Sequence, residues 1–518
     1  MAEPASYRGI DALLAEQARR WGDRVYVEGV APRARLTFGE LDAASARLAH
    51  FLADRGVKAQ DRISVLSSNC LEWLILFFGV QRYGAAVHPI NVEVNAKNVA
   101  QMLHDVEPRL VLWNRAIPEE LQALVGTAGD AAIPFDALFA ALDRYPAAPR
   151  PRPAGDPRAI AIIDYTSGTT VTPRGVLISH EAYFYMARSL VERLGITDAD
   201  RILESRALSW ASPQCLSVGP TLQTGATLIL APRFSRRRFF EWIREYEVTI
   251  AAGVPTVFHM LLAQPVPVTG AELPALRFIT SSAAPLPAAR QVEFERRYRI
   301  PIVQGCGMTE AGFMGANPPA ARRLGSIGPA VPHLEARFVD DTGVPCPPGQ
   351  PGELVVGGRQ MASAYLTDRD TLVEIPRDGF RTGDLGYADA DGYLYLTGRK
   401  KDLIIRGGVN IAPMEITSTL LAHPAVAEAV TIGVPDEVYG EGIVSFVALH
   451  AGEAASPDEL LAHCRTRLSA FKLPQQILVV EALPKTERGK LARGRLEALW
   501  REQTARGPDP GPRRAASG

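Results

Sequence analysis

The alternation of helical and strand-like segments in the first part of the chain limits the possible folds more than any other feature. Residues 41–56 and 71–84 carry helical hydrophobic spacing, and each is followed by an apolar, strand-like segment, at residues 61–69 and 85–91. The same pattern resumes at residues 159–170, where a buried strand leads into a loop of serine, threonine and glycine. Such alternation is typical of a parallel sheet with helices packed on its faces.

The pattern changes twice further along the chain. From Gly325 short strands and hairpin turns take over, which predicts a small β subdomain. After Lys400 a new α+β pattern begins, and about 110 residues suffice for a separate small domain. We therefore predict an α/β fold: a large N-terminal domain of parallel α/β sheets plus a small β subdomain, followed by a small mobile α+β C-terminal domain. The predicted boundaries are residues 1–398 for the N-terminal domain with its β subdomain from about 325, 399–402 for a hinge, 403–505 for the C-terminal lid domain, and 506–518 for a disordered tail.

Composition and charge exclude several classes of function. The chain has 518 residues and a formal net charge of −1, so no basic field points to a nucleic acid or an anionic membrane as partner. Its most apolar stretch, Leu71–Val80, contains Glu72 and is too short to span a bilayer. The five cysteines are dispersed and form no CxxC pair, which favours a reducing cytoplasm over a disulfide framework or a zinc site.

The segment Tyr165–Gly175, which reads YTSGTTVTPRG, is the first candidate for chemistry. It holds five serine and threonine hydroxyls, two glycines and Arg174 within eleven residues. Glycine permits turns that aim successive N–H groups at one point, and hydroxyls and a guanidinium add donors, which suits an oligophosphate. The GxxxxGK[ST] pattern of a Walker A loop is absent. A serine- and threonine-rich surface turn is the alternative interpretation.

The segment Gly305–Glu310, which reads GCGMTE, is the second candidate. It follows a predicted strand and has the first two glycines of a dinucleotide-binding fingerprint, but Glu310 stands where the third glycine should be. A turn of small residues with the Thr309 hydroxyl and the Glu310 carboxylate suits a contact with magnesium and phosphate. The alternative interpretation is a tight strand–helix turn in which Glu310 caps the helix.

Two further segments complete the set of motifs. They are RTGDLGYADADGYLYLTGRKKDLIIRGGVNIAPMEI and, near the end, LPKTERGKLAR. With them the sequence resembles the adenylate-forming superfamily of acyl-CoA synthetases, luciferases and peptide-synthetase adenylation domains. The motifs occur in the family's order and at its approximate spacings. The resemblance implies an AMP-forming acid–thiol ligase, which uses ATP and Mg²⁺ to activate a small carboxylic acid as acyl-AMP, releases pyrophosphate, and transfers the acyl group to the thiol of coenzyme A.

The resemblance also implies a nucleotide site assembled from several motifs. The β- and γ-phosphates of ATP would be held by Thr166, Ser167, Gly168, Thr169, Thr170 and Arg174. The adenine slot would be formed by Ser282, Ala283, Ala284 and Pro285 together with Gly305, Cys306, Gly307 and Met308. Thr309 would contact the α-phosphate and Glu310 would hold Mg²⁺. Asp384 would accept both ribose hydroxyls, and Arg399 would bind ribose or phosphate.

The remaining implied roles concern catalysis and the second half-reaction. Lys490 would bridge the substrate carboxylate and the α-phosphate, so that the catalytic residues would be Thr309, Glu310 and Lys490. Two anions must meet in this step, and a lysine and Mg²⁺ offset their repulsion. Asp402 would be the hinge. The channel for the pantetheine arm of CoA would be lined by Gly407, Gly408 and Val409, where small residues let a thin arm pass the backbone.

The sequence departs from the family's pattern in the phosphate loop and the adenine slot. The loop has Val171 and Arg174 where the family usually has glycine and lysine, and arginine delivers its charge as a planar fork. Cys306 stands where an aromatic residue usually stacks on adenine. We expect either a reduced affinity for ATP or another side chain that covers the adenine ring.

The predicted acyl pocket is formed by Trp210, Ala211 and Gln214. Residues 210–214 offer no anion, which argues against a free amino acid as substrate. Alanine at 211 replaces a histidine that the family often has, so we expect a larger pocket that admits a bulky or cyclic acid. The residues leave open which acid is used.

Two alternative functions remain open from the sequence. One is an adenylating half-enzyme that hands acyl-AMP to a carrier protein or a partner enzyme. The other is a non-catalytic pseudoenzyme that binds nucleotide or acyl ligands, for which the altered phosphate loop is the support. The presence of Glu310, Asp384, Arg399 and Lys490 argues against the pseudoenzyme.

Overall fold

The computed structural model describes residues 7–148, 156–166, 174–450, 452–484 and 492–505. The chain divides into two compact units, Met1–Leu396 and Thr397–Gly518. The predicted tail at 506–518 lies outside the described residues. Within the described ranges, no helix is both long and apolar enough to cross a membrane.

The large unit contains the strands of two sheets and of a β subdomain. In chain order they are β1 (Val25–Val30), β2 (Arg33–Thr37), β3 (Arg62–Leu66), β4 (Ala86–Ile90), β5 (Leu110–Trp113), β6 (Ala132–Pro134), β7 (Ile160–Tyr165), β8 (Gly175–Ser179), β9 (Arg201–Glu204), β10 (Thr227–Leu230), β11 (Ile250–Ala251), β12 (Phe278–Ser281), β13 (Ile302–Met308), β14 (Gly312–Ala316), β15 (Leu334–Val339), β16 (Gly352–Gly358), β17 (Ala364–Asp368), β18 (Thr371–Glu374), β19 (Phe380–Ala388) and β20 (Leu394–Arg399). The last of them crosses the boundary between the two units.

Helices pack on the faces of these sheets. They are α1 (Ile10–Trp21), α2 (Phe38–Asp54), α3 (Leu71–Tyr83), α4 (Ala96–Val106), α5 (Glu119–Gly126), α6 (Phe135–Leu142), α7 (His180–Leu194), α8 (Ala211–Pro213), α9 (Gly219–Thr224), α10 (Phe239–Glu245), α11 (Pro255–Ala263) and α12 (Ala288–Tyr298). A π-helical turn, Gln214–Val218, joins α8 to α9.

The two eight-stranded sheets confirm the predicted fold class. Their strand orders are β14-β13-β12-β11-β9-β10-β1-β2 and β18-β17-β8-β7-β4-β3-β5-β6. The inner pairs, such as β10 with β9 and β3 with β4, are parallel. Antiparallel hairpins close three of the four edges, β1 with β2, β13 with β14 and β17 with β18, while the fourth edge strand, β6, pairs with β5 in parallel. The parallel core requires helical crossovers, which is the alternation that the sequence shows.

Local sequence signals determine where the predicted helices near the N-terminus begin and end. Thr37 and Glu40 form a capping box at the start of α2, which satisfies two backbone N–H groups that the helix leaves open. Almost every residue of α3 is buried, because this helix packs against α2 and the first sheet-forming strands, and it therefore lacks a polar face. It ends at Gly84, whose φ of 94° is left-handed.

The predicted β subdomain is present, with one difference. Strands β15, β16, β19 and β20 form a separate four-stranded sheet. The hairpin β17–β18 from the same stretch of sequence instead extends the second large sheet, because β17 pairs with β8. Ala364 and Leu366 of β17 pack there with Ile163 and Leu177 in one buried cluster.

The small unit has its own sheet and core. Its elements are β21 (Ile404–Arg406), β22 (Val409–Ile411), α13 (Pro413–Leu421), β23 (Val426–Asp436), β24 (Gly440–Leu449), α14 (Pro457–Arg465), β25 (Gln476–Val479) and α15 (Arg493–Ala505). The strand order is β22-β21-β24-β23, and β25 pairs with β24 in parallel. Ile416, Leu420, Ile443 and Val447 are fully buried between the helices and this sheet. The predicted α+β character of this part is confirmed.

Candidate active site

Glu310 lies in the turn between β13 and β14, beside the base of the predicted phosphate loop. Its side chain is buried, and its Oε1 accepts a hydrogen bond of 2.8 Å from the Tyr365 hydroxyl. The Arg174 guanidinium lies 5.9 Å from the centre of the Tyr365 ring. Burial and the nearby Glu310 carboxylate raise the pKa of Tyr365, so this phenol stays a donor. One tyrosine therefore connects the predicted magnesium ligand with the end of the phosphate loop.

The segment Gly305–Glu310 has a different conformation from the one expected for a turn into a helix. Strand β13 continues to Met308, and the chain reverses into the antiparallel β14 at Gly312. Because a strand follows, the interpretation of Glu310 as a helix cap is wrong. A Cβ atom on Gly307 would overlap the backbone of Gly312, so the close approach of the two strands requires glycine there. Cys306 is partly buried on the same strand.

The two described ends of the predicted phosphate loop are hydrogen-bonded to each other. The N–H of Thr166 donates to the carbonyl of Arg174 at 3.0 Å, directly beyond the antiparallel pair β7 and β8. Residues 167–173 of the loop lie outside the described residues, and they include the predicted Ser167, Gly168, Thr169 and Thr170 as well as Val171. The strands on either side of these residues, β7 and β8, are antiparallel neighbours, which the sequence did not predict.

The first residue of the predicted adenine slot is anchored by a buried ion pair. Arg206 and Glu204 are almost inaccessible and lie 2.6 Å apart, and Arg206 Nη1 donates to Ser282 Oγ at 3.2 Å. Ala283 follows with a φ of 70°. A left-handed conformation is strained for alanine, and such strain concentrates at functional sites. Ala284 and Pro285 are exposed at this end of β12.

Thr309 lies in the turn between β13 and β14, whereas Asp384 lies on β19 of the four-stranded sheet. Thr309 is partly buried beside Glu310. Asp384 is 5% exposed on β19, and its N–H donates to Thr382 Oγ1 at 3.0 Å. The buried position of a carboxylate on this strand is consistent with a ligand-binding role rather than a solvated turn.

The predicted acyl-pocket residues lie on an irregular helical segment. Trp210 precedes α8, Ala211 is its first residue, and Gln214 begins the π-helical turn. Such turns occur frequently at functional sites. Gln214 is buried, and its Nε2 donates to Leu208 O at 3.1 Å and to Asp164 Oδ1 at 3.3 Å. Asp164 was not identified from the sequence as a site residue, although a single aspartate at the end of the apolar run AIAIID indicates a buried charge.

The remaining predicted residues belong to the small unit or its border. Arg399 is exposed at the end of β20, and Asp402 is partly buried at the end of a single 3₁₀ turn. Gly407 and Gly408, with φ of 57° and 81°, form the two-residue turn between β21 and β22. Two left-handed residues are typical of a type I′ hairpin. Val409 is exposed beside them, and Lys490 lies outside the described residues.

Comparisons with known proteins agree with this architecture. The model of the AMP-binding enzyme family matches residues 14–366, and that of the AMP-binding enzyme C-terminal domain matches residues 415–490. A sulfoacetate–CoA ligase of Cupriavidus necator is 34% identical, over 95% of this chain and 98% of that protein. An indoleacetate–CoA ligase of Aromatoleum aromaticum is 33% identical, over 91% of this chain and 95% of that protein. The structure of ATP-bound MatB from Rhodopseudomonas palustris superimposes with a TM-score of 0.86 and 27% identity, covering 95% of this chain and 99% of that chain.

The resemblance inferred from the motifs is thereby confirmed. One family model covers well over half of the chain, and both curated relatives align along nearly their whole length. The chain belongs to the AMP-binding enzyme family and, within the adenylate-forming superfamily, to the branch of acyl-CoA synthetases.

Proposed function

We propose that this chain joins a small carboxylic acid to coenzyme A through an acyl-adenylate. In the first step a carboxylate oxygen attacks the α-phosphorus of ATP, the bond to the bridging oxygen breaks, and pyrophosphate leaves. In the second step the CoA sulfur attacks the acyl carbon, its proton is released, and AMP leaves. The similar proteins named as CoA ligases for sulfoacetate and indoleacetate support this activity.

The observation that carries the proposal is the group Glu310, Tyr365 and Arg174. The buried carboxylate accepts from the Tyr365 hydroxyl, and the guanidinium lies over the ring of the same tyrosine, at the described end of the proposed phosphate loop. Mg²⁺ takes oxygen ligands and is usually bound by one or two carboxylates plus substrate phosphates, so Glu310 fits as its ligand. The metal would neutralise charge on the phosphates, while Arg174 would contact them directly.

The other predicted residues complete the proposed nucleotide site. Residues 282–285 and 305–308 would enclose adenine, Asp384 would bind the ribose, and Thr309 would contact the α-phosphate. From the small unit, Arg399 would bind ribose or phosphate and Lys490 would bridge the two reacting anions. A lysine placed in this way stabilises charge that develops during transfer.

The second half-reaction is proposed to use the hairpin turn of the small unit. Gly407, Gly408 and Val409 would line the path of the pantetheine arm, and Asp402 would act as the hinge between a domain at 1–398 and one at 403–505.

The cysteines, all within the described ranges, form no disulfide there, which supports a reducing cytoplasmic location.

A panel of free acids tests the function. Purified protein with ATP, Mg²⁺ and each acid should catalyse ATP–pyrophosphate exchange, and addition of CoA should give the thioester by mass spectrometry. Acyl-AMP that accumulates without thioester would instead indicate a carrier protein or partner enzyme as acceptor. Exchange should fall at least about a hundredfold in Glu310→Gln, but not in Glu335→Gln, which changes an exposed glutamate of β15. Absence of exchange with every acid would contradict the proposal.

A further inference from the structure

We propose that Asp164 and Gln214 form a hydrogen-bonding subsite of the acyl pocket, which selects acids that carry a hydroxyl or amino group away from the activated carboxylate. The inference rests on the proposed function, because it takes the segment 210–214 as the wall of the acyl pocket. Residues 210–214 alone offer no anion, so the sequence predicted an acyl pocket without a negative charge, and the inference changes that expectation. The anion comes from a strand that is distant in sequence.

Asp164 has an unsatisfied oxygen in the interior. The residue is 2% exposed, and Oδ1 accepts from Gln214 Nε2. Its Oδ2 is buried and has no hydrogen-bond partner among the described residues. No other carboxylate oxygen in the described part of the chain shares this condition. Buried polar atoms in native proteins nearly always have partners, so an exception calls for a ligand or an ordered water.

Within the described ranges, no cationic side chain forms an ion pair with Asp164. Burial raises the pKa of its carboxyl to about 7, and the hydrogen bond from Gln214 opposes this only in part. Burying a carboxylate without a cation is unfavourable, yet Asp164 stands in a strand, IAIIDY, whose preceding residues are all apolar. An incoming hydroxyl or amino group would supply the missing donor.

The position of Asp164 links the acyl segment to the nucleotide site. It precedes Tyr165 and Thr166, where the phosphate loop begins. Since side chains alternate along a strand, Tyr165 points to the opposite face, where its hydroxyl meets Asp105 Oδ2 at 3.4 Å. Asp164 therefore faces Gln214. Ligands of α/β proteins bind beyond the carboxyl ends of the parallel strands, which is where β7 brings this carboxylate.

Trp210 adds a second polar atom to the same segment. Its Nε1 is buried and has no acceptor within the described ranges. The indole nitrogens of Trp21, Trp73, Trp113 and Trp242 share this condition, so the Asp164 oxygen carries the argument. A buried acceptor of this kind discriminates against a plain hydrocarbon chain, because an apolar group would leave the oxygen unsatisfied.

Matched pairs of acids test the subsite. Each pair differs in one hydroxyl replaced by a methyl group: para-hydroxybenzoate and para-methylbenzoate, para-hydroxyphenylacetate and para-methylphenylacetate, omega-hydroxyhexanoate and heptanoate. Para-aminobenzoate is included for the amino group. We expect wild-type kcat/KM in ATP–pyrophosphate exchange to favour the donor-bearing member of at least one pair by about tenfold or more, the effect of one hydrogen bond to a charged group. Asp164→Asn should remove most of this preference and leave the KM for ATP unchanged.

Asp105→Asn is the matched control. It makes the same change in a buried carboxylate that meets the other face of β7, and it should keep the wild-type preference. Gln214→Leu gives a second test if Asp164→Asn does not fold, and it should also reduce the preference. Equal kcat/KM within every pair, or equal losses for both members in Asp164→Asn, would overturn the subsite while leaving adenylation intact. Absence of exchange with all acids would instead overturn the proposed function, and the subsite with it.

Discussion

Replacing Tyr365 with phenylalanine tests the arrangement around Glu310 most directly. The change removes the hydroxyl that donates to Glu310 Oε1 at 2.8 Å and keeps the ring, which packs against the hydrophobic core. A hydrogen bond to a charged group contributes about 1.5–3 kcal/mol. If this energy holds the carboxylate in position for the transition state, Tyr365→Phe should slow adenylate formation about 10- to 150-fold.

The assay for this variant is ATP–pyrophosphate exchange measured over a range of Mg²⁺ concentrations, with acid and ATP saturating. A positioning role predicts that the half-saturating Mg²⁺ concentration rises while the KM for the acid stays the same. Binding of Mn²⁺ in the presence of ATP, followed by electron paramagnetic resonance, gives the same comparison without turnover. Tyr395→Phe is the control, because Tyr395 donates to Asp389 at 3.3 Å within the β subdomain. Unchanged metal dependence and unchanged Mn²⁺ binding in Tyr365→Phe would refute the reasoning.

Three further predictions concern stability and catalysis. Burial raises the pKa of the Asp164 carboxyl from 3.8 to about 7. The contribution of this side chain to the free energy of unfolding is therefore fully present below pH 3.8, and it is lost as the pH rises through 7. Asp164→Asn should therefore be more stable than wild type at alkaline pH, by up to about 4 kcal/mol, and urea unfolding at several pH values should show the difference shrink towards acid pH. Gly307→Ala should lower the melting temperature and abolish ATP binding, whereas Gly126→Ala, which has open space around it, should do neither. Lys490→Ala should slow adenylate formation by about 3–4 kcal/mol in barrier, and an unchanged single-turnover rate would contradict the proposed role.

Elements with strong local signals could be predicted from the sequence. The helical spacing and terminal glycine of α3 are both local, and the structure places this helix at Leu71–Tyr83. The hairpin β17–β18 could not be assigned to its sheet, because its apolar residues would suit either layer. Its place is decided by pairing between β17 and β8, which lie far apart in the chain. Local pattern determines that such a strand forms, and long-range packing determines its partner.

The same limit separates the predicted site residues from the groups that hold them. Glu310 could be found from its motif, but Tyr365 reaches it only because β17 lies beside β8. Gln214 could be placed near the acyl group, but its contact with Asp164 depends on how the π-helical turn packs on β7. Asp164 is recognisable in the sequence as a charged residue in a segment whose other residues predict a buried strand. A buried carboxylate requires a partner, so such a residue predicts that some polar group meets it, and only the fold identifies which one.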